Sequence, residues 1–394
     1  MKVCILNSVH PVSDTRVLKI ATTLSDTGHQ VTILSPSVQV SSTNLQELEG
    51  RLKLVEVERP KGQFRPSSGL VAFLKTLLSR LMVSIQLFRQ GWQLKADVYH
   101  CNEVDSWLVG ILLKILLRKR VVFDVHEYYP SHIIALLPGG LLSHPLESLL
   151  LKFFAICSRL TDGAVFTNQT RADLYKFQCP QIIVRHCVSL KHADGINQRD
   201  LALETSYKGR VVLLHVGLLR DTYGTEQLIE TMRLLCDVPN LVCVILGGIY
   251  DPCNTIQRKL ADLDLNERLE IVEKVPFEQV VQYLNVADIG LIVVQPCRKS
   301  FVTSLARKFL EYIAFGVPIV ASDFPEMRRI VEKYEVGLLV NPEDPQDIAR
   351  AIKILIQDPS MRSRMKANSR AAFENELNWE IESQSLIKLY ASWS

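Results

Sequence analysis

Residues 303–323 read TSLARKFLEYIAFGVPIVASD, and their pattern decides the fold. Phe309, Leu310, Ile313 and Ala314 recur at helical spacing, which predicts a helix with one apolar stripe. Gly316 stands where such a helix stops, and Pro318 lies just beyond it. Ile319, Val320 and Ala321 form a short apolar run suited to a strand covered on both faces, as in a parallel sheet. Thr303 or Ser304 is expected to cap the helix start, where free backbone N–H groups suit a phosphate. Lys308 and Glu311 are three apart and share a face. They could be an ordinary helical ion pair. They could also serve the two ends of a nucleoside diphosphate, with phosphates at the helix start and ribose hydroxyls at Glu311, about 12 Å further along.

Working outward, strands and helices alternate from the first residue. Residues 3–7 predict a strand, and Asp14 is placed to cap a helix bearing Val17, Ala21 and Leu24, which Gly28 ends. Residues 31–34 predict the next strand, and this βαβ opening favours a parallel sheet wrapped by helices. Further apolar runs fall at 54–57, 98–100, 121–124 and 164–167. The pattern restarts after about residue 205, with strands predicted at 211–216, 241–246, 269–272, 289–294, 319–321 and 338–340. A helix bearing Leu228, Ile229, Met232 and Leu235 lies between the first two of these. Residues 188–208, polar and without apolar periodicity, are the expected hinge. The expected architecture is α/β, with two Rossmann-like doubly wound domains facing a cleft at the carboxyl ends of their strands.

The chain has 394 residues, 47% hydrophobic and 7% aromatic, enough for two cored domains and opposed to disorder. Net charge is +3, too small to imply nucleic acid. The charge is uneven: residues 1–190 carry 21 Lys+Arg against 14 Asp+Glu, an excess of +7, and the remainder carry 24 against 28. A basic first half suits an anionic acceptor or anionic lipid head groups, although domains also vary in charge without consequence. Nine cysteines, an odd number with no Cys-x-x-Cys, suggest free thiols in a reducing compartment, with Cys4, Cys157 and Cys243 expected to be buried. The N-terminal apolar run is too short for a signal peptide, and no uninterrupted run of 18 apolar residues predicts a spanning helix. The expected location is cytoplasmic, including the inner membrane face. Residues 70–95 combine many apolar residues with Lys75, Arg80, Arg89 and Lys95, a pattern for a helix lying in a bilayer interface or packing on the sheet. Residues 133–154 are also apolar, broken at Pro138-Gly139-Gly140.

Ser304, Leu305, Lys308, Glu311, Tyr312, Ala314, Gly316, Pro318, Val320 and Ala321 match a known signature, and the chain resembles the retaining glycosyltransferases of family 4, which have the GT-B fold. Ala306 replaces a Pro of that signature, Ile319 a Val, and Thr303 occupies its first acidic position. Ser-Asp-Thr-Arg-Val-Leu-Lys at 13–19 with Gly28-His29 resembles the family's first loop and helix, and Phe-Asp-Val-His-Glu at 123–127 its fourth-strand motif. Asn378-Trp379-Glu380 with residues 386–390 resembles its closing helix. The resemblance implies an N-terminal acceptor-side domain over 1–190, a nucleotide-sugar-binding domain over 205–375, and a helix over 376–394 crossing back to the first domain.

It also implies roles. Glu311 would bind the donor ribose, and His126 would contact the donor sugar. Gly217 would form the first turn of the second domain, with Arg220 and Lys308 as cations for the departing diphosphate. Residues 273–276, including Lys274 and Val275, would read the base through their backbone, and Thr303, Ser304 and Leu305 would approach the diphosphate. The family usually places cations where this chain has Leu218 and Tyr223. The implied activity is retaining sugar transfer from a nucleotide-sugar, the co-substrate, to a glycan or lipid-linked acceptor in polysaccharide biosynthesis. No metal or other cofactor is implied. A sugar-nucleotide epimerase shares the two-domain architecture. A non-catalytic sugar-nucleotide-binding subunit fits the departures at 218, 223 and 303.

Overall fold

The computed structural model describes residues 1–8, 15–36, 52–58, 70–135, 143–195, 200–251, 256, 258, 260, 265 and 268–393. The Asp14 cap and the break at 138–140 lie outside these. The chain divides into two units: Met1–Arg185 with Ser383–Ser394, and His186–Glu382.

The first unit holds seven strands: β1 Lys2–Leu6, β2 Gln30–Ser35, β3 Leu52–Glu56, β4 Val98–Cys101, β5 Arg120–Val125, β6 Gly163–Phe166 and β7 Gln181–Ile183. Their order is β3-β2-β1-β4-β5-β6-β7, and every described pairing is parallel. β1 and β4 are nearly all buried side chains, as a sheet covered on both faces requires. The chain runs outward from β1 on both sides, so the crossover direction reverses between β1 and β4. Ligands of doubly wound sheets bind beyond the strand ends at such a reversal.

Three helices connect β3 to β4, β4 to β5 and β5 to β6: Leu70–Leu94, Val104–Leu117 and Ser143–Ser158. All three crossovers run in the same direction along the sheet, and right-handed connection puts all three helices on one face. Glu103 and Ser106 close a reciprocal capping box at the start of the second, with the Glu103 N–H donating to Ser106 Oγ at 3.0 Å. Trp107 on that helix stacks on Phe123 of β5 at 4.2 Å and meets Phe154 of the third helix at 6.0 Å. No helix among the described residues is long and apolar enough to cross a membrane.

The second unit holds β8 Val211–Val216, β9 Leu241–Leu246, β10 Leu269–Val272, β11 Ile289–Ile292, β12 Ile319–Ser322 and β13 Gly337–Val340. Their order is β10-β9-β8-β11-β12-β13, again parallel in each described pairing, and the reversal falls between β8 and β11. β11 stops at Ile292, so the strand expected over 289–294 is two residues shorter. The last helix, Trp379–Ala391, begins in the second unit, and its turns from Ser383 onward belong to the first. There Tyr390 is fully buried, its hydroxyl 2.9 Å from His100 Nδ1 of β4. Cys4 and Cys243 are buried free thiols, but Cys157 is only partly buried, packing against the edge of the core.

Candidate active site

The signature stretch does not form one helix from Thr303. A short helix, Lys299–Val302, precedes it, and the functional helix is Arg307–Ala314 with Ala306 at its N-cap. Neither Thr303 nor Ser304 caps it. The Thr303 hydroxyl donates back to the Lys299 carbonyl at 2.9 Å and the Ser304 hydroxyl to the Phe301 carbonyl at 2.8 Å. Each hydroxyl thus serves the preceding turn, the local competition that keeps such residues from the next helix. Glu311 is therefore four residues into the helix, about 6 Å along its axis. Gly316 ends it as expected, with φ +70.

Tyr312 fixes this helix to the sheet. Its ring lies against the α-carbon of Gly290 in β11, where an added Cβ would come within 2.7 Å of the ring. Its hydroxyl donates to the Leu214 carbonyl at 2.6 Å and accepts from the Val216 N–H at 3.2 Å, both in β8. This anchorage carries Lys308, one turn earlier, over the end of β8. There Gly217 turns the chain with φ +113, and a Cβ on it would fall 1.8 Å from Lys308 Nζ. Only a glycine leaves room for the ammonium at that spot.

Lys308 Nζ also lies 5.0 Å from the centroid of the Tyr223 ring, and the Arg220 guanidinium lies 5.4 Å from the same centroid. One aromatic face set thus serves two cations. Tyr223 in turn packs against Phe301 at 6.2 Å. Where the family pattern places a cation, this chain has an aromatic that gathers two cations from elsewhere. Leu218, at the other departing position, is exposed. Burial pushes the Lys308 ammonium down to about 8; Glu311 opposes the shift, and Arg220 and Arg307 add to it. His215, buried at the end of β8, is held down at about 3 by burial and by Lys308, so its imidazole is neutral.

Glu311 is almost fully buried, and the alternative of an ordinary Lys308–Glu311 pair is not what forms: its partner is Arg307, whose Nε donates to Glu311 Oε1 at 2.7 Å. The reason is reach. Lys308 is drawn to the Gly217 turn, while Arg307, one full turn before Glu311, lies directly along the helix face. Lys274 is exposed, and Val275 packs partly into the core beside the end of β10. Gly248, after β9, faces the Glu273 carboxylate, which a Cβ would approach to 3.2 Å. Leu305 is partly buried against the same core. The structure therefore brings Gly217, Arg220, Tyr223, Lys308 and Glu311 to one strand-end region of the second unit.

His126 belongs to the first unit and lies just past β5. Its Nε2 is 2.9 Å from Asp124 Oδ2. Asp124 is fully buried and receives Arg16 Nε at 3.0 Å and Arg16 Nη2 at 2.8 Å, a bidentate pair. His100 Nε2 lies 3.7 Å from the same carboxylate. Burial opposes charge on Asp124, but Arg16 and His126 prevail and hold it well below the usual carboxylate range. The Arg171 guanidinium donates to the His126 carbonyl, fixing the loop from its other side.

Two residues beside this group escaped the sequence reading. Glu103, at the end of β4, accepts from the Ser8 N–H at 3.0 Å and the Ser8 hydroxyl at 3.2 Å, spanning the reversal between β1 and β4. Burial raises its carboxyl to about 7. Asn102 beside it is 1% exposed, and neither atom of its side-chain amide has a partner. The available signal was position: both residues directly follow an apolar strand, as His126 does. Among the described residues no cluster of His, Cys, Asp or Glu has the spacing of a metal site.

Comparison with known proteins accords with this geometry. Residues 13–187 match the family described as Glycosyltransferase Family 4, and residues 198–372 match Glycosyl transferases group 1. The chain belongs to the family 4 glycosyltransferases and has their GT-B fold, two Rossmann-like units of parallel strands. It is 25% identical over 398 residues to a D-inositol 3-phosphate glycosyltransferase of Corynebacterium efficiens, covering 95% of this chain and 89% of that one. It is 24% identical over 210 residues to an uncharacterised glycosyltransferase of Methanocaldococcus jannaschii, a match over 53% of this chain and about half, 52%, of the relative. Anabaena HepE, solved in complex with UDP, superimposes with a TM-score of 0.75 at 14% identity, covering 100% of both chains.

Proposed function

We propose that the protein transfers a sugar from a nucleotide-sugar to a glycan or lipid-linked acceptor, with retention at the anomeric carbon, in polysaccharide biosynthesis. The observation that carries this is the meeting of Lys308, Arg220 and Tyr223 over the Gly217 turn, within reach of the buried Glu311. Two cations over a glycine turn, beside a helix start, supply positive potential where a diphosphate leaving group gains charge. Glu311 holds the ribose through a carboxylate whose orientation Arg307 fixes. The backbone at Lys274 and Val275 reads the base, and Thr303, Ser304 and Leu305 line the approach of the diphosphate to the helix. HepE has been solved with UDP-glucose, and a uridine nucleotide is accordingly the first donor to try.

His126 is assigned to the transferred sugar. Asp124 fixes its ring through Nε2, and Arg16 keeps that aspartate ionised. No metal is called for, because Arg220 and Lys308 neutralise the leaving group.

The test is turnover with a panel of nucleotide-sugars, followed by assignment of the anomeric configuration of the product. Net transfer with retained configuration is the expected result. Inverted product overturns retention. Epimerised donor, or binding without turnover, overturns the transferase reading.

A further inference from the structure

Three helices of the first unit carry a second apolar face that the fold does not use. On Leu70–Leu94, Val83 and Leu87 point into the core, while Leu77, Leu78, Leu81, Met82 and Ile85 form an exposed stripe on the other side. On Val104–Leu117, Trp107, Ile111 and Leu113 are buried, and Leu108, Leu112, Ile115 and Leu116 are exposed. On and just after Ser143–Ser158, Phe154 is buried, and Leu149, Phe153, Ile156 and Leu160 are exposed. Within each helix the exposed positions repeat at three- and four-residue intervals, so each forms a stripe rather than a scatter. The first two helices pack side by side, and Trp107 against Phe154 joins the second to the third. All three lie on one face of the sheet. Exposed apolar stripes gathered on three helices of one sheet face mark an interaction site.

The charges around it are predominantly positive, and the acidic groups at its edge, Asp162 and Asp97, are already paired with Lys114 and Lys119 at 2.6 and 2.9 Å. Residues 75–94, 106–120 and 148–160 contain no Asp or Glu. Lys75, Arg80, Arg89, Lys152 and Arg159 are exposed. Two such faces pressed together would set these five cations against one another, with the acidic groups at the edge already taken by Lys114 and Lys119, which disfavours a second copy as the occupant. An anionic lipid surface satisfies both features, taking the apolar stripes into its interfacial region and pairing the cations with head groups.

We propose that the outer faces of these three helices together form a seat for an anionic phospholipid bilayer, with the middle and third helices as essential as the first. This deepens the proposed function by supplying a surface from which a lipid-linked acceptor is drawn, and it rests on that reading only for the acceptor.

The test is sedimentation of the full-length protein with phosphatidylglycerol–phosphatidylcholine vesicles and with phosphatidylcholine vesicles alone, at low and high salt. Binding is expected to the anionic vesicles and to weaken with salt. Neutralising Lys75, Arg80 and Arg89 should lower it by about fivefold per cation. The pairs Leu81→Ser with Ile85→Ser, Leu112→Ser with Ile115→Ser, and Phe153→Ser with Ile156→Ser should each lower it about tenfold or more. Circular dichroism and nucleoside diphosphate affinity should stay unchanged, since every substituted side chain is exposed. Unaltered binding in the second or third pair overturns the three-helix seat. Equal binding to neutral vesicles overturns the anionic assignment. A dimer that the serine pairs dissolve, without vesicle binding, assigns the face to a second copy and overturns the proposal. Loss of nucleotide affinity in unaltered protein would count against the transferase reading and leave vesicle binding to stand or fall by itself.

Discussion

Raising the pH from 7 to 9 should weaken nucleoside diphosphate binding about tenfold, through Lys308 alone. The ammonium titrates near 8 in the fold, below its ordinary 10.5, because it is largely withdrawn from water over the Gly217 turn. At pH 7 about nine molecules in ten carry the charge, and at pH 9 about one in ten, so the competent fraction falls roughly tenfold, or about 1.4 kcal/mol. The charged groups facing it are Glu311, Arg220 and Arg307, with His215 neutral throughout this range. Calorimetry with UDP at pH 7, 8 and 9, in buffers of different ionisation enthalpy, should show proton uptake on binding that grows with pH. Lys308→Arg should abolish the slope and keep affinity, and Lys308→Met should lose both. A flat profile, or a slope that survives Lys308→Met, refutes the placement of this ammonium against the diphosphate. The same shift has a stability consequence with a definite sign. The folded chain binds fewer protons than the unfolded chain between about 8 and 10.5. Lys308 therefore costs about 3 kcal/mol below that window, and the cost is relieved as pH rises through it.

Glu311→Ala should weaken nucleoside diphosphate binding by about 1–3 kcal/mol in calorimetry, the range for losing hydrogen bonds to a charged group; unchanged affinity would remove the ribose assignment. Arg220→Ala should reduce turnover while the melting temperature holds, since the side chain is exposed and its partner is a ring. Arg16→Met leaves the Asp124 carboxylate buried without its bidentate partner and should cost about 3–5 kcal/mol, read as a fall of many degrees in melting temperature. Gly290→Ala should destabilise by about 1–3 kcal/mol, because its Cβ would meet the Tyr312 ring and push the Lys308 helix off the sheet.

What the sequence revealed and what it withheld follow one division. The strands at 211–216 and 241–246 coincide with β8 and β9, because a covered parallel strand is a nearly unbroken apolar run with turn residues at its ends; 269–272 coincides with β10, an edge strand whose Glu270 and Ile271 are exposed. Gly316 marked its helix end for a local reason too. The edge strand β7, Gln181–Ile183, escaped because only two of its three residues are apolar and none is fully buried, so it lacks the signature of a covered strand. In the site, Gly217, Arg220, Lys308 and Glu311 could be named from the strand-end positions and the signature, but their partners could not. The choice of Arg307 for Glu311 depends on where Lys308 is drawn, and that is set by a glycine 91 positions away. The joining of Arg16 to Asp124, separated by 108 residues, and of Ser8 to Glu103, separated by 95, is a product of sheet order. No window of sequence holds both halves of such a pair.

The last turns of the chain have a consequence for its synthesis. Tyr390 seals His100 inside the first unit, and Leu389 packs on the α-carbon of Gly163 in β6. The first unit therefore lacks part of its own interior until residues 383–394 have left the ribosome. The 186–382 stretch is made in between, which takes roughly 10–40 s at about 5–20 residues per second. During that interval a seven-stranded sheet waits with His100 and Gly163 uncovered, while the second unit already has every residue it needs. The unit that begins first is the one that finishes last, and a ribosome stalled near residue 382 would release one complete unit and one open one.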